Sequence, residues 1–174
     1  ANCASCHSGP LFTDQDFHAM GVPGFGPGRT RKFDPMPRDV GRMGATDLLE
    51  DAYRFRTPSL RNVALTAPYG HNGAYSSLNA MIRHMANPRV EAALWRPDMA
   101  TLPDVPWLAA SDFVIRQDRL EMARQIAVLD ADPVALTAEE VADIEAFLHA
   151  LTGASAEDLP LGRPDRVPSG LPVD

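Results

Sequence analysis

Two thiols three residues apart, followed directly by an imidazole, make Cys3-Ala4-Ser5-Cys6-His7 the stretch of this chain best equipped for chemistry. At that spacing each thiol can add across one vinyl group on a porphyrin edge, while the adjoining histidine turns a ring nitrogen beneath the iron. The pentapeptide therefore reads as a covalent haem c attachment site, with Cys3 and Cys6 as anchors and His7 as proximal iron ligand. A disulfide or half of a zinc site would use the same residues. A tetrahedral zinc site needs two more soft ligands, yet Cys3 and Cys6 are the only cysteines, and His18, His71, His84 and His149 show no paired ligand spacing. A vicinal redox pair belongs at a strand-to-helix junction, which the following Ser8-Gly9-Pro10 does not suggest.

The rest of the chain must supply the body that holds such a group. Its 174 residues, 45% of them apolar, suffice for one globular domain with a core. A formal charge of -7 argues against a nucleic-acid partner and is compatible with a basic or neutral protein partner or with simple solubility. No run of roughly 18 apolar residues exists, so no membrane span is expected. The sequence opens almost on the motif with no upstream helix, so an N-terminal part of the gene product is expected to be missing. Covalent haem attachment takes place outside the cytoplasmic membrane, and the motif thus implies a periplasmic location.

Residues 8 to 47 read as loop. Gly9-Pro10, Pro23-Gly24, Gly26-Pro27-Gly28, Asp34-Pro35 and Met36-Pro37 leave room only for short helices. Leu11, Phe12, Phe17, Met20, Val22 and Phe25 are available either to pad a haem face or for ordinary packing, and His18 reads as a loop or propionate-side group rather than an iron ligand. The Asp47 to Tyr53 run leads into a short helix.

Between residues 55 and 73 the backbone is pinned by Pro58 and Pro68 and relaxed at Gly70 and Gly73, as suits a rigid loop beside a cofactor. Arg56 and Arg61 are candidates to neutralise haem propionates, or to form surface ion pairs. The run Phe55-Arg56-Thr57-Pro58-Ser59-Leu60-Arg61-Asn62-Val63, then Leu65-Thr66-Ala67-Pro68-Tyr69 and His71-Asn72-Gly73, resembles the signature of the bacterial di-haem cytochrome c peroxidases and their MauG-like relatives, specifically their C-terminal haem domain. The likeness extends from the haem motif through Leu11-Phe12-Thr13-Asp14 and Gly41-Arg42 to the closing Arg166-Val167-Pro168-Ser169-Gly170-Leu171-Pro172. The resemblance implies a calcium held partly by the backbone carbonyls of Thr66 and Pro68, with its other ligands on a second haem domain that this chain lacks.

Helical geometry and the resemblance bear together on the second axial ligand. After Ser76-Ser77, a candidate cap, Leu78, Met81, Ile82 and Met85 follow the i, i+3, i+4, i+7 pattern, and Met85 lies on that stripe. His84 falls roughly 100° away and is expected at a rim or in solvent. The family's axial methionine stands fourteen positions after the histidine of its His-Asn/Asp-Gly motif, and Met85 stands fourteen after His71. Met85 is therefore the expected distal ligand. His71, a candidate haem-side residue, is its main rival and His84 the next; Met81 reads as core filler. A thioether raises the reduction potential and suits electron transfer, whereas the tyrosine or histidine of some MauG-like relatives lowers it.

Beyond residue 87, Trp95 and Trp107 read as core or haem-packing residues, the run Trp107 to Ile115 as a possible face toward a partner domain, and Asp118 to Leu129 as a helix packed through Leu120, Ala123, Ile126 and Ala127. Thr137 and Glu140 form a capping box, Leu136 and Val141 a hydrophobic staple, and Val141, Ile144, Phe147, Leu148 and Leu151 the apolar face of a last helix that ends at Gly153. His149 reads as a surface or helix-end residue.

The expected fold is all-α, a c-type cytochrome fold with long irregular loops over residues 1–153 and an extended tail over 154–174. The resemblance implies the electron-transfer part of a di-haem peroxidase-type oxidoreductase that passes electrons from an external donor, such as a small cytochrome or cupredoxin, to a peroxidatic haem on a second haem domain. A stand-alone mono-haem electron carrier and a MauG-like enzyme that oxidises a protein side chain are the alternatives.

Overall fold

The structure, a computed structural model, describes residues 2–26, 38–103, 105–156 and 166–170. The Pro- and Gly-rich breakers at positions 27–37, and most of the tail read as an extended strap, lie outside the described residues. Among the described residues, five α-helices carry the fold: α1 (Met43–Thr46), α2 (Leu78–Ala86), α3 (Pro88–Leu94), α4 (Arg119–Ala127) and α5 (Ala138–Ala150). The expectation of an all-α chain meets one addition. Phe17–His18 (β1) pairs antiparallel with Phe55–Arg56 (β2), Phe17 opposite Arg56, and ties the loop after the Cys-His motif to the Arg56 block.

Capping chemistry accounts for where the principal helices start. The Ser77 hydroxyl accepts from the Ala80 N–H and opens α2, and Asn87 does the same for Val90 at the head of α3, where Pro88 fits the first turn. Thr137 and Glu140 form a reciprocal capping box at α5, as the sequence implies.

The main core lies where α2 packs on α5 and α3. Leu78, Ile82, Val141 and Leu148 are buried there with Phe25, Tyr69, Tyr75 and Trp95, and Leu136 packs against them at the staple position. Removing each such aliphatic side chain from water contributes about 1.5–3 kcal/mol. Trp95 stacks on Phe25 with ring centroids 5.3 Å apart and donates its indole N–H to the Ala74 carbonyl at 2.7 Å, which makes it a core residue.

Several sequence expectations are corrected here. The helix near residue 47 comes earlier, at α1, and residues Leu49–Asp51 form only a 3-10 turn. Gly41 allows the chain to run against Arg54: a Cβ at that position would stand 2.5 Å from the Arg54 carbonyl oxygen. The buried face of α4 consists of Glu121 and Gln125, with the Arg38 guanidinium paired to Glu121, while Leu120 is 59% exposed. Phe147, expected on the packed face of α5, is 51% exposed, and Trp107 is 82% exposed rather than packed. α3 had no sequence expectation, since Pro88 reads as a breaker until Asn87 is seen to cap it.

Candidate haem-binding site

Residues Cys3–Ser5 form one 3-10 turn, and the backbone N–H groups of Cys6 and His7 both donate to the Cys3 carbonyl. The turn gathers both thiols and the imidazole at one corner. Neither cysteine is in a disulfide; Cys3 is exposed and Cys6 half-buried. His7 Nδ1 lies 2.9 Å from the Phe12 carbonyl oxygen. A carbonyl can only accept, so Nδ1 carries the proton and Nε2 keeps its lone pair for a metal.

The surroundings fit a flat apolar group. Leu11 is 51% exposed, and Phe12 meets the equally exposed Phe147 edge to face, with centroids 6.2 Å apart. Bare apolar side chains beside two free thiols and a correctly protonated imidazole are what a macrocycle would cover. A cleft of about 350 Å³ adjoins them, lined by Phe12, Arg61, Asn62, residues 150–153, Ser155 and Ala156. The loops around it are held by polar contacts: the Ser59 hydroxyl donates to the Leu11 carbonyl at 2.6 Å, and Arg61 Nε to the Pro10 carbonyl at 2.8 Å.

The two arginines differ from simple ion pairs. Arg56 is exposed and donates to Gln15 Oε1 and to the Thr57 carbonyl, while exposed Arg61 uses Nε on Pro10. His18 is engaged with carboxylates, its Nε2 2.8 Å from Asp14 and its Nδ1 4.0 Å from Asp130. Asp14 is held down to about 2 by the Asp16 N–H first and by His18 next. Cys6, Asp14 and His18 place ligand atoms within 4.8 Å of one another, a set that uses the Cys6 thiol and so overlaps the attachment site. Thr66 and Pro68 are exposed on their loop, and neither carbonyl accepts a hydrogen bond from the described residues. Two free carbonyls are compatible with part of a hard-cation site and do not complete one.

The three rivals for the distal position have different surroundings. His71 is committed: its Nε2 lies 2.8 Å from Asp39 Oδ2, and its ring packs on Phe55 at 4.0 Å. His84, expected at a rim or in solvent, is 0% exposed. Its Nε2–H donates to the Met20 carbonyl at 2.8 Å, and its Nδ1 accepts from the Tyr75 hydroxyl at 2.8 Å. Burial pushes its pKa down to about 4 against the smaller opposing effect of the Met20 bond. Helical phase placed His84 off the stripe correctly but not out of the protein, because a second layer covers that side of α2. Met81 packs against the main core, whereas half-buried Met85 is not among the side chains packed there.

Two buried polar groups carried no sequence signal. Tyr75 is 1% exposed and its hydroxyl titrates above its ordinary range through burial, but nothing links it to His84 nine residues away except the fold. Glu121 is fully buried and pairs with Arg38 at 2.7 Å and Arg124 at 3.5 Å. Its second oxygen, Oε1, has no hydrogen-bond partner among the described residues. Among the described residues no helix is long and apolar enough to cross a membrane.

No family model matches the chain. It is 34% identical over 99 residues to the methylamine utilization protein MauG of Methylophilus methylotrophus, covering 57% of this chain and 26% of that protein. With the cytochrome c peroxidase Ccp of Escherichia coli it shares 34% over 100 residues, 56% of this chain and 20% of the relative. With the cytochrome-c peroxidase IdrP1 of Denitromonas iodatirespirans it shares 28% over 171 residues, covering 87% and 37%. Among solved structures, a MauG-like protein associated with microbial copper homeostasis superposes with a TM-score of 0.51 at 27% identity, covering 91% of this chain and 44% of that one. The chain thus spans less than half the length of these relatives. These likenesses support the MauG-like and di-haem cytochrome c peroxidase family as the one this chain is similar to.

Proposed function

We propose that this chain is the electron-transfer haem c domain of a periplasmic peroxidase-type oxidoreductase, with a c-type cytochrome fold over residues 1–153. Cys3 and Cys6 would hold the haem as thioethers, and His7 would offer Nε2 to the iron. Bound there, the haem supplies one-electron chemistry. Met85 would close the opposite face with its thioether, which favours electron relay over peroxide binding at this site. The observation that carries this reading is the fate of the rivals: His71 is paired with Asp39 and both ring nitrogens of His84 are occupied, while Met85 is left outside the packed core.

Arg56 and Arg61, exposed and bonded to neutral oxygens of Gln15 and Pro10, would meet propionates by exchanging those hydrogen bonds for bonds to charged oxygens. Electrons would come from a small cytochrome or cupredoxin and pass to a peroxidatic haem on a second domain, where hydrogen peroxide is reduced. The Thr66 and Pro68 carbonyls would contribute to a calcium shared with that domain. A MauG-like role, oxidation of a protein side chain, is the second reading, favoured by the likeness to MauG itself.

Three measurements test the proposal. The intact mass and haem-to-polypeptide ratio of the native protein should reveal a second haem; one haem on a 174-residue native product without a partner overturns the di-haem reading. The near-infrared band of methionine-ligated ferric haem should be present and vanish in Met85→Ala, and its absence from the wild type overturns the ligand assignment. Peroxide turnover with a reduced cytochrome favours the peroxidase over the MauG-like reading.

A further inference from the structure

The last turn of α2 is fastened from the residue before Met85. His84 is 0% exposed and bonded at both ring nitrogens, to Tyr75 and to the Met20 carbonyl, each at 2.8 Å. Both partners stand in fixed frames. Tyr75 pairs with Tyr69 through two backbone hydrogen bonds of 2.7 and 3.0 Å. Met20 follows Ala19, whose N–H donates to Asp130 Oδ2 at 2.8 Å and whose carbonyl accepts from the Asp130 N–H at 3.0 Å; Arg54 grips the same carboxylate with Nη1 and Nη2.

We propose that His84, with Tyr75, is the positioning residue for the distal iron ligand: the doubly bonded imidazole fixes the rotation of α2 and so aims Met85. The inference rests on the reading of Met85 as that ligand.

Geometry gives the fastening its leverage. Successive side chains on a helix are about 100° apart, so fixing the azimuth of His84 fixes that of Met85. A rotation of about 20° would carry an atom some 5 Å from the axis through nearly 2 Å, many times the few tenths of an ångström that a metal–ligand bond tolerates. The other holds on α2 resist rotation less. Leu78 and Ile82 sit in apolar packing, which is not directional, and the Asn79–Glu145 bond lies a turn or more from Met85. The Val134 N–H, donating to the Ala86 carbonyl at 2.8 Å, ties the backbone past the end of the helix without reaching the Met85 side chain. A histidine serving only to fill the core would stabilise the fold and leave the ligand bond alone, and this difference can be measured.

The test uses the purified holoprotein in four variants, with free imidazole as the competing ligand. In Tyr75→Phe, which removes one hydroxyl, circular dichroism should be unchanged while the near-infrared methionine band weakens and imidazole displaces the sixth ligand at a concentration about three- to tenfold lower, as the loss of one neutral hydrogen bond allows. His84→Leu should shift displacement by more than about tenfold, and His84→Gln, whose amide can still donate and accept, should recover part of it. A Tyr75→Phe protein with band and imidazole affinity within about twofold of wild type overturns the proposal, even if His84→Leu fails to fold. Met85→Ala is read independently: if it leaves the wild-type band untouched, the ligand assignment falls and the proposal falls with it; if the band depends on Met85 while Tyr75→Phe is silent, only the proposal falls.

Discussion

His7 donates its Nδ1–H to the carbonyl of Phe12, five residues along the chain, across 2.9 Å. That bond selects the tautomer with a free Nε2 and holds the ring in place from the protein side. The haem should nevertheless depend on Cys3 and Cys6 for its attachment. In His7→Gly, mass spectrometry should still find covalent haem, the visible spectrum should show loss of the proximal ligand, and added imidazole should restore it. A spectrum identical to wild type would exclude His7 as the ligand.

Met81 and Met85 occupy neighbouring turns of α2 and should fail differently. Met81 packs on the core, so Met81→Ala should cost about 1–2 kcal/mol in guanidinium denaturation, below the fully buried range because it is partly exposed, and leave the near-infrared band in place. Met85→Ala should abolish the band and lower the reduction potential. The reverse pattern would exchange their roles.

The Arg38–Glu121 pair, at 2.7 Å with the carboxylate buried, ties the segment after residue 37 to α4. Glu121→Ala should destabilise the protein by about 2–3 kcal/mol, somewhat less than for a fully buried pair because Arg38 keeps some access to water. Replacing both residues by Met should recover most of that loss. A single-variant loss under about 0.5 kcal/mol would mean the pair is solvated in solution.

Stability should fall with acid in two stages. His84 titrates near 4 in the fold against 6.5 ordinarily, so the unfolded chain binds the proton first: the contribution is complete above pH 6.5 and is lost between 6.5 and 4, on the order of 3 kcal/mol. Asp14, lowered from 3.8 to about 2, adds a second loss as pH drops through that lower window. Denaturant midpoints measured from pH 7 to 3 should follow the first stage, and Asp14→Asn should flatten only the lowest part. A flat profile between pH 6.5 and 4 would show that His84 is reached by water.

What the sequence determined by itself was local. The Ser77 cap and the Thr137–Glu140 box are legible because capping acts over a few residues. The tertiary structure decided where contact joins distant segments. No local pattern announces that Glu121 faces Arg38, that Asp39 takes His71, or that the flank of α2 bearing His84 is covered by Met20 and Tyr75. Hydropathy placed His84 outside; the fold buried it, because two polar groups already fixed elsewhere can satisfy both of its nitrogens, and a satisfied imidazole can remain in a core.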